Sequence, residues 1–156
     1  TGVYCYPVQH DGNSQKSIEE AEAINALYVE LMKQSFIGPK GEVLPMNAKE
    51  ILVVAPYNAQ VNLLKRVLPE GARVGTVDKF QGQEAQVVLV SMVTSNEHHM
   101  PRYLEFLFSR NRLNVAISRA KSLAVVVMSP GLAEVRSKKP ETLGLINTFI
   151  GLVNQH

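Results

Sequence analysis

The sequence predicts an α/β domain in which a mainly parallel sheet lies between two layers of helices. Three apolar runs support this prediction: "EILVVAP" (Glu50–Pro56), "AQVVLVSMV" (Ala85–Val93) and "SLAVVVM" (Ser122–Met128). None of them alternates polar with apolar residues, which indicates strands buried on both faces. Helical patterns separate the runs, and strands that alternate with helices are typical of a parallel sheet covered on both sides. Ligands of such sheets bind beyond the carboxyl ends of the strands, so we expect a site there.

The first third of the chain predicts one strand and one helix. "VYCYPV" (Val3–Val8) is typical of a strand, and a polar loop follows it. Ser17 and Glu20 have the spacing of a capping box, which predicts that a helix begins between them. The apolar face of this helix consists of Ile24, Leu27, Tyr28 and Leu31. We expect Gly38 and Pro39 to end the helix, since both residues disfavour its continuation.

The middle of the chain predicts a second helix and a short strand. Four apolar positions mark the helix, and Pro69 ends it: Tyr57, Val61, Leu64 and Leu68. "RVGTV" (Arg73–Val77) predicts a short strand and "DKFQGQE" (Asp78–Glu84) a loop. We expect a long loop with a short helical turn over Thr94–Arg110, and helix from about Pro140 onward.

The stretch "NRLNVAISRAK" (Asn111–Lys121) places two arginines next to an apolar helical stripe. Arg112 and Arg119 are seven residues apart, which is two helical turns, so a continuous helix would carry both on one side. The stripe itself has core-facing spacing and consists of Leu113, Ala116, Ile117 and Ala120. Guanidinium groups that border a buried stripe suggest either a buried ion pair or an anionic ligand.

Composition favours one globular domain over residues 1–156, with 46% hydrophobic and 19% charged residues. Because the chain begins with Thr1 rather than Met, we expect a fragment of a longer protein. The apolar runs have strand length, so no membrane partner is expected. The single cysteine, Cys5, excludes a disulfide framework and favours a half-buried strand residue in a reducing compartment, the cytoplasm.

Charge is unevenly distributed, although the net charge is only +2. Residues 101–156 hold eight Lys and Arg against three Asp and Glu, which favours an anionic partner for this third of the chain. A skew of this size also occurs on ordinary protein surfaces.

Several signatures of self-contained enzymes are missing from the sequence. The phosphate-binding pattern G-x-x-x-x-G-K-[ST] does not occur, and "GPKGEV" (Gly38–Val43) lacks its spacing. No apolar strand ends in paired acidic residues that would hold Mg²⁺. No His and Cys residues have zinc spacing, and His98–His99 is interpreted as an exposed loop pair, so no metal site is predicted. The chain alone is therefore predicted to be a poor enzyme.

Three segments occur in order at strand ends or on the helices that follow them: "VVAPYNAQVNLL" (Val53–Leu64), "TVDKFQGQEAQVVLVS" (Thr76–Ser91) and "NRLNVAISRAK". They resemble motifs IV, V and VI of the second RecA-like domain of superfamily 1 helicases. The resemblance is closest to the branch, branch B, that contains the nonsense-mediated-decay RNA helicase and the replication helicase-nuclease. It covers about residues 1–136 and implies a three-layer RecA-like domain of the P-loop NTPase type that lacks its own P-loop.

The resemblance also implies an ATP site shared with an N-terminal RecA-like domain of the same chain, which would supply the Mg²⁺ ligands. Arg119 is implied as the arginine finger aimed at the γ-phosphate. Arg112 is implied to assist it at the phosphates or to tie the helix to the loop, and the alternative for Arg112 is a buried ion pair. Some relatives place an arginine where this chain has Val61, so a second phosphate-contacting arginine from motif IV is not expected at that position, and Lys65 or Arg66 are only distant alternatives.

Further nucleotide contacts are implied by motifs IV and V. Glu84 would accept hydrogen bonds from the ribose hydroxyls, and Gly82 would let the backbone approach the ligand closely. Gln81 would lie near the phosphates or couple the ATP cleft to the nucleic-acid groove. Tyr57 would stack near adenine, or would merely pack at the start of its helix. Gln60 would contact the nucleotide region.

Single-stranded nucleic acid is the implied partner, held mainly through its backbone phosphates. DNA is favoured over RNA, although the sequence itself does not separate them. The implied contacts are Thr76, Ser91, Thr94, Asn96 and Arg102. Asp78 has an alternative role as the cap of a turn, and Phe80 is interpreted as a core residue.

The resemblance leaves two functions open. The first is the motor domain of an ATP-dependent helicase that is inactive by itself, and the second is a non-catalytic RecA-like scaffold that binds nucleic acid. The sequence favours the motor because Glu84 and Arg119 are both present. "HDGNSQKSIEEAEAI" (His10–Ile24) is similar to a segment of bacterial members that carry a RecB-like nuclease region, so a nuclease domain in the same protein is a further open alternative.

Overall fold

The computed structural model describes residues 2–8, 16–80, 82–93 and 112–128. Seven strands are present in this part of the chain: β1 (Gly2–Pro7), β2 (Ser35–Ile37), β3 (Val43–Pro45), β4 (Ile51–Val54), β5 (Arg73–Gly75), β6 (Ala85–Ser91) and β7 (Ala120–Met128). Three α-helices accompany them: α1 (Ile18–Met32), α2 (Asn58–Val67) and α3 (Arg112–Ser118). Two 3₁₀ turns cover Ala48–Glu50 and Val77–Phe80. The helix or loop predictions for Thr94–Arg110 and for the chain from Pro140 onward lie outside the described residues.

Five strands form one parallel sheet in the order β1-β7-β6-β4-β5. Every residue of β4 and of β6 is buried, as the uninterrupted apolar runs predicted. The prediction of an α/β domain with a mainly parallel sheet is confirmed. Within the described residues, no helix is long and apolar enough to span a membrane.

The sheet is covered on both faces, which makes the three layers. Alternate strand residues such as Val53 and Leu89 pack against α1 and α2, with Ile24 and Leu64 in the same core. Their neighbours along the strands, such as Val88, face the other side, where α3 and the 3₁₀ turn Val77–Phe80 pack. Phe80 is 3% exposed, so its interpretation as a core residue is confirmed. Tyr28 lies in the first core, and burial raises the pKa of its phenol above the usual 10.0 because ionisation there is poorly solvated.

A hairpin replaces the predicted end of α1. The helix ends at Met32, and β2 and β3 then pair in antiparallel register, with Ile37 opposite Val43. Gly38 and Pro39 therefore lie in the hairpin turn, which the Gly38 N–H closes by donating to the Glu42 carbonyl at 2.8 Å. Gly41 has φ +80°, a conformation that glycine adopts without steric cost. The prediction that Gly38 and Pro39 end the helix is wrong, because the backbone of residues 35–45 finds its hydrogen bonds in a strand pair.

The helix predicted over Asn111–Lys121 is shorter than expected. It ends at Ser118, and β7 begins at Ala120, so Arg119 lies in the turn between them. The Ala85 N–H donates to the Arg119 carbonyl at 3.1 Å, and Ala120 pairs with Ala85. The prediction that Arg112 and Arg119 share one helix face is therefore wrong. The Arg119 carbonyl accepts its hydrogen bond from β6, so the helix does not continue through this residue.

Candidate functional site

The amino-terminal ends of β6 and β7 bring Glu84 and Arg119 together. Each residue immediately precedes a strand, and the two strands are paired at Ala85 and Ala120. The hydrogen bond from the Ala85 N–H to the Arg119 carbonyl fixes the two turns to each other. Glu84 is exposed and Arg119 is half-buried, so both side chains reach solvent. Within the described residues, the Arg119 guanidinium has no hydrogen bond or ion pair.

The loop before Glu84 is held by its own backbone and by Arg73. Gly82 has φ +77°, and an added Cβ there would meet no atom within 4 Å. Glycine is therefore favoured at position 82 by backbone conformation rather than by lack of space. The Gln83 N–H donates to the Phe80 carbonyl at 2.9 Å, which closes the turn that leads into Glu84.

Arg73 was missed by the sequence reasoning, although it ties this loop to the sheet. Its guanidinium donates to the Lys49 carbonyl at 3.0 Å and to the Gln83 side chain. The same group lies over the Phe80 ring, 5.6 Å from its centroid. An arginine at the start of a short strand belongs to no recognisable motif, so only the fold reveals this role.

Replacing Arg73 by methionine should lower the free energy of unfolding by about 1 kcal/mol, because the stem is kept while both charge-assisted hydrogen bonds are lost at a partly exposed site. Urea unfolding of the chain measures the change. Arg66→Met is the matched control, since Arg66 is exposed on α2. Equal loss in the two variants would show that the bonds of Arg73 contribute nothing.

The expectation of a site at the carboxyl ends of the strands holds for only some of the predicted residues. Thr76 follows β5, and Tyr57 follows β4 as the N-cap of α2, so both are at that edge, and both are half-buried. Glu84 and Arg119 lie at the opposite edge. β6 has seven residues, so its ends are about 20 Å apart. The expectation is wrong for Glu84 because Asp78–Glu84 runs back from the carboxyl edge to the amino edge before β6 begins.

Gln60 and Ser91 lie in the interior. Gln60 is 0% exposed, and its Oε1 accepts from the Ser17 N–H at 2.8 Å. Its Nε2 donates to the Ser17 carbonyl at 3.0 Å and to Ser91 Oγ at 3.2 Å. The Ser91 hydroxyl, also 0% exposed, donates to the Glu20 carboxylate at 2.7 Å.

A fully buried side chain presents no atom to a ligand, so the structure gives both residues a packing role in place of the predicted one. The contact of Gln60 with nucleotide and that of Ser91 with nucleic acid stay predictions that this conformation does not support. Four predicted site residues lie outside the described part of the chain: Gln81, Thr94, Asn96 and Arg102. The backbone of Arg112 opens α3, and its side chain is outside the description. Among the described residues, no three His, Cys, Asp or Glu side chains are grouped to hold a metal ion.

Known proteins are similar over most of this fold. The sequence profile of a family described as an AAA domain matches residues 6–130. The chain belongs to this family. In this AAA domain the matched region includes all three motif segments and every described strand except the start of β1.

Relatives of this AAA domain are named helicases. "DNA polymerase alpha-associated DNA helicase A" of Schizosaccharomyces pombe is 44% identical over 85 residues, covering 53% of this chain and 12% of that protein. Human "RNA helicase Mov10l1" is 38% identical over 128 residues, covering 77% of this chain and 10% of that protein. "DNA replication ATP-dependent helicase/nuclease JHS1" of Arabidopsis thaliana is 32% identical over 114 residues, covering 68% of this chain and 9% of that protein.

The family and these relatives confirm the recognition made from the three motifs: the chain is a second RecA-like domain of the superfamily 1, branch B, helicase type. It spans about a tenth of the length of each of these three relatives.

Proposed function

We propose that this AAA domain is the C-terminal motor domain of an ATP-dependent nucleic-acid helicase. It supplies Arg119 and Glu84 to an ATP site shared with an N-terminal RecA-like domain. The observation that carries the proposal is that the paired starts of β6 and β7 place Glu84, which is exposed, beside Arg119, which is half-buried. The helicase names of the relatives support it.

The charges of these two residues suit the two ends of a nucleotide. Phosphoryl transfer is catalysed mainly by positioning and by neutralising charge, and an arginine offered across a cleft does this. The absence of a hydrogen bond or ion pair from the Arg119 guanidinium to any described residue supports this role. The carboxylate of Glu84 is an acceptor for hydroxyl donors such as those of ribose. ATP with Mg²⁺ supplies the transferable phosphoryl group, and the Mg²⁺ ligands belong to the other domain.

The carboxyl edge of the sheet is the proposed nucleic-acid side. Thr76 lies there, away from Glu84 and Arg119, and the basic final third of the sequence favours a polyanion. The relatives' names include both DNA and RNA helicases, so the shared class is single-stranded nucleic acid. The preference for DNA stays a prediction.

Hydrolysis by the intact protein and by this chain alone tests the shared site. The intact protein should hydrolyse ATP with stimulation by single-stranded oligonucleotide, whereas the chain alone should show hydrolysis no faster than buffer, because the phosphate loop and Mg²⁺ ligands are absent from it. Phosphate release is the measurement, with and without oligonucleotide. Robust hydrolysis by the chain alone would contradict the shared site. An intact protein that binds nucleic acid without hydrolysing ATP would instead support the scaffold.

A further inference from the structure

The buried carboxylate of Glu20 joins α1 to the carboxyl end of β6. Glu20 is 0% exposed, although carboxylates are seldom fully buried unless hydrogen-bonded. Its Oε1 accepts from the Ser91 hydroxyl at 2.7 Å and from the Val93 N–H at 3.0 Å. The two donors lie at and just beyond the end of β6.

Ser17 and Gln60 bind the backbone at the start of α1, one turn from this carboxylate. Ser17 Oγ accepts from the Glu20 N–H at 3.1 Å, which is one half of the predicted capping box. In the other half, Glu20 would accept from the Ser17 N–H, but the amide of Gln60 occupies that donor. The Ser17 half of the predicted capping box is therefore confirmed. The Glu20 carboxylate binds the end of β6 through the Ser91 hydroxyl and the Val93 N–H.

Val93 shows that the end of β6 is strained. Its φ is +68°, and it is the only non-glycine residue with positive φ in the described chain. A β-branched side chain is strongly disfavoured there and persists only where the surroundings impose it. Val93 is 0% exposed, and its N–H is held by Glu20. The contact from α1 thus helps to hold the backbone of Val93 in this conformation.

We propose that Glu20 is a positioning residue for nucleic-acid binding, acting through the backbone of Val93. This inference rests on the proposed function, in which nucleic acid lies at the carboxyl edge of the sheet. Glu20 belongs to none of the three motif segments, and it touches no ligand itself. Backbone strain held by a buried hydrogen bond is a frequent feature of binding sites, where it fixes the geometry before the ligand arrives.

Replacing Glu20 by alanine in the intact protein should weaken nucleic-acid affinity about tenfold. The measurement is the concentration of oligothymidine that gives half-maximal stimulation of ATP hydrolysis. KM for ATP, measured at saturating oligothymidine, should change by less than about twofold, because Glu84 and Arg119 are at the opposite edge. Glu20→Gln should retain the affinity, since its amide oxygen still accepts both hydrogen bonds. Glu22→Ala is the matched control, because Glu22 is exposed on the same helix.

Adding Val93→Gly to Glu20→Ala should recover part of the lost affinity, because glycine adopts positive φ without steric cost. Failure of this recovery would overturn the action through Val93. If KM for ATP rises by the same factor as nucleic-acid affinity falls, Glu20 is merely structural. A lowered Tm with unchanged nucleic-acid affinity leads to the same conclusion. If Glu20→Ala does not fold, Glu20→Asp is the second variant. It keeps the carboxylate but is one methylene too short to keep both hydrogen bonds. Unchanged nucleic-acid affinity in the folded Glu20→Asp variant would overturn the inference.

The two proposals fail in different ways. Wild-type protein without nucleic-acid-stimulated hydrolysis would overturn the proposed function. Wild-type protein that is stimulated, together with a Glu20→Ala variant of unchanged affinity, would overturn the role of Glu20 alone.

Discussion

Replacing Arg119 by alanine in the intact protein should lower kcat for ATP hydrolysis about a thousandfold, while ATP binding weakens far less, if the proposed function holds. The guanidinium would stabilise charge on the transferred phosphoryl group, and this interaction is stronger in the transition state than in the ground state. The structure is compatible with this role because Arg119 lies in a turn, half-buried and hydrogen-bonded only through its backbone among the described residues. Steady-state phosphate release and equilibrium nucleotide binding together measure the effect.

Lys121→Ala is the matched control for Arg119, since Lys121 is an exposed cation two residues further along the chain. Its kcat should stay within about twofold of wild type, because its charge is screened by solvent. Arg119→Lys should recover little activity, as an ammonium group lacks the planar fork of donors. A thousandfold loss in the Lys121 variant as well, or wild-type turnover in Arg119→Ala, would contradict the assignment of the finger.

Replacing Gln60 by alanine should lower the free energy of unfolding by about 3 kcal/mol, because buried backbone groups of Ser17 lose their partner and a cavity remains. The Gln60 amide is 0% exposed and makes three hydrogen bonds that connect α2 to the start of α1 and to β6. Urea unfolding of the chain measures the loss. KM for ATP in the folded intact protein should be nearly unchanged.

This prediction separates the packing role of Gln60 from the nucleotide contact implied by motif IV. Asn62→Ala is the control, because Asn62 is exposed on the same helix and its removal should leave stability within about 0.5 kcal/mol. A Gln60 variant that is fully stable but has a greatly raised KM would restore the nucleotide contact and reject the network.

Much of the sheet could be predicted because β4, β6 and the greater part of β7 are continuous apolar runs, which few other elements produce. The side-chain cap of α1 by Ser17 was equally local, since it needs only residues three apart. The family could be recognised for a similar reason: its motifs are short segments, and the sequence carries most of their residue types.

Features that depend on contacts distant in the chain could not be predicted in this way. Helical spacing continues past Ser118, and only the pairing of Ala120 with Ala85 ends α3 there. The positions of Glu84 and Tyr57 at opposite edges follow from the path of one loop across the sheet.

By itself, the sequence determined the apolar strands, the start of α1 and the family, because each depends on residues close together in the chain. The tertiary structure alone decided that Gln60 is buried, that the Glu20 carboxylate binds Ser91 and Val93, and that Glu84 and Arg119 lie at the paired starts of β6 and β7. Each of these outcomes depends on a hydrogen bond between groups that are distant in the sequence. Local residue patterns do not identify the partner in such a bond.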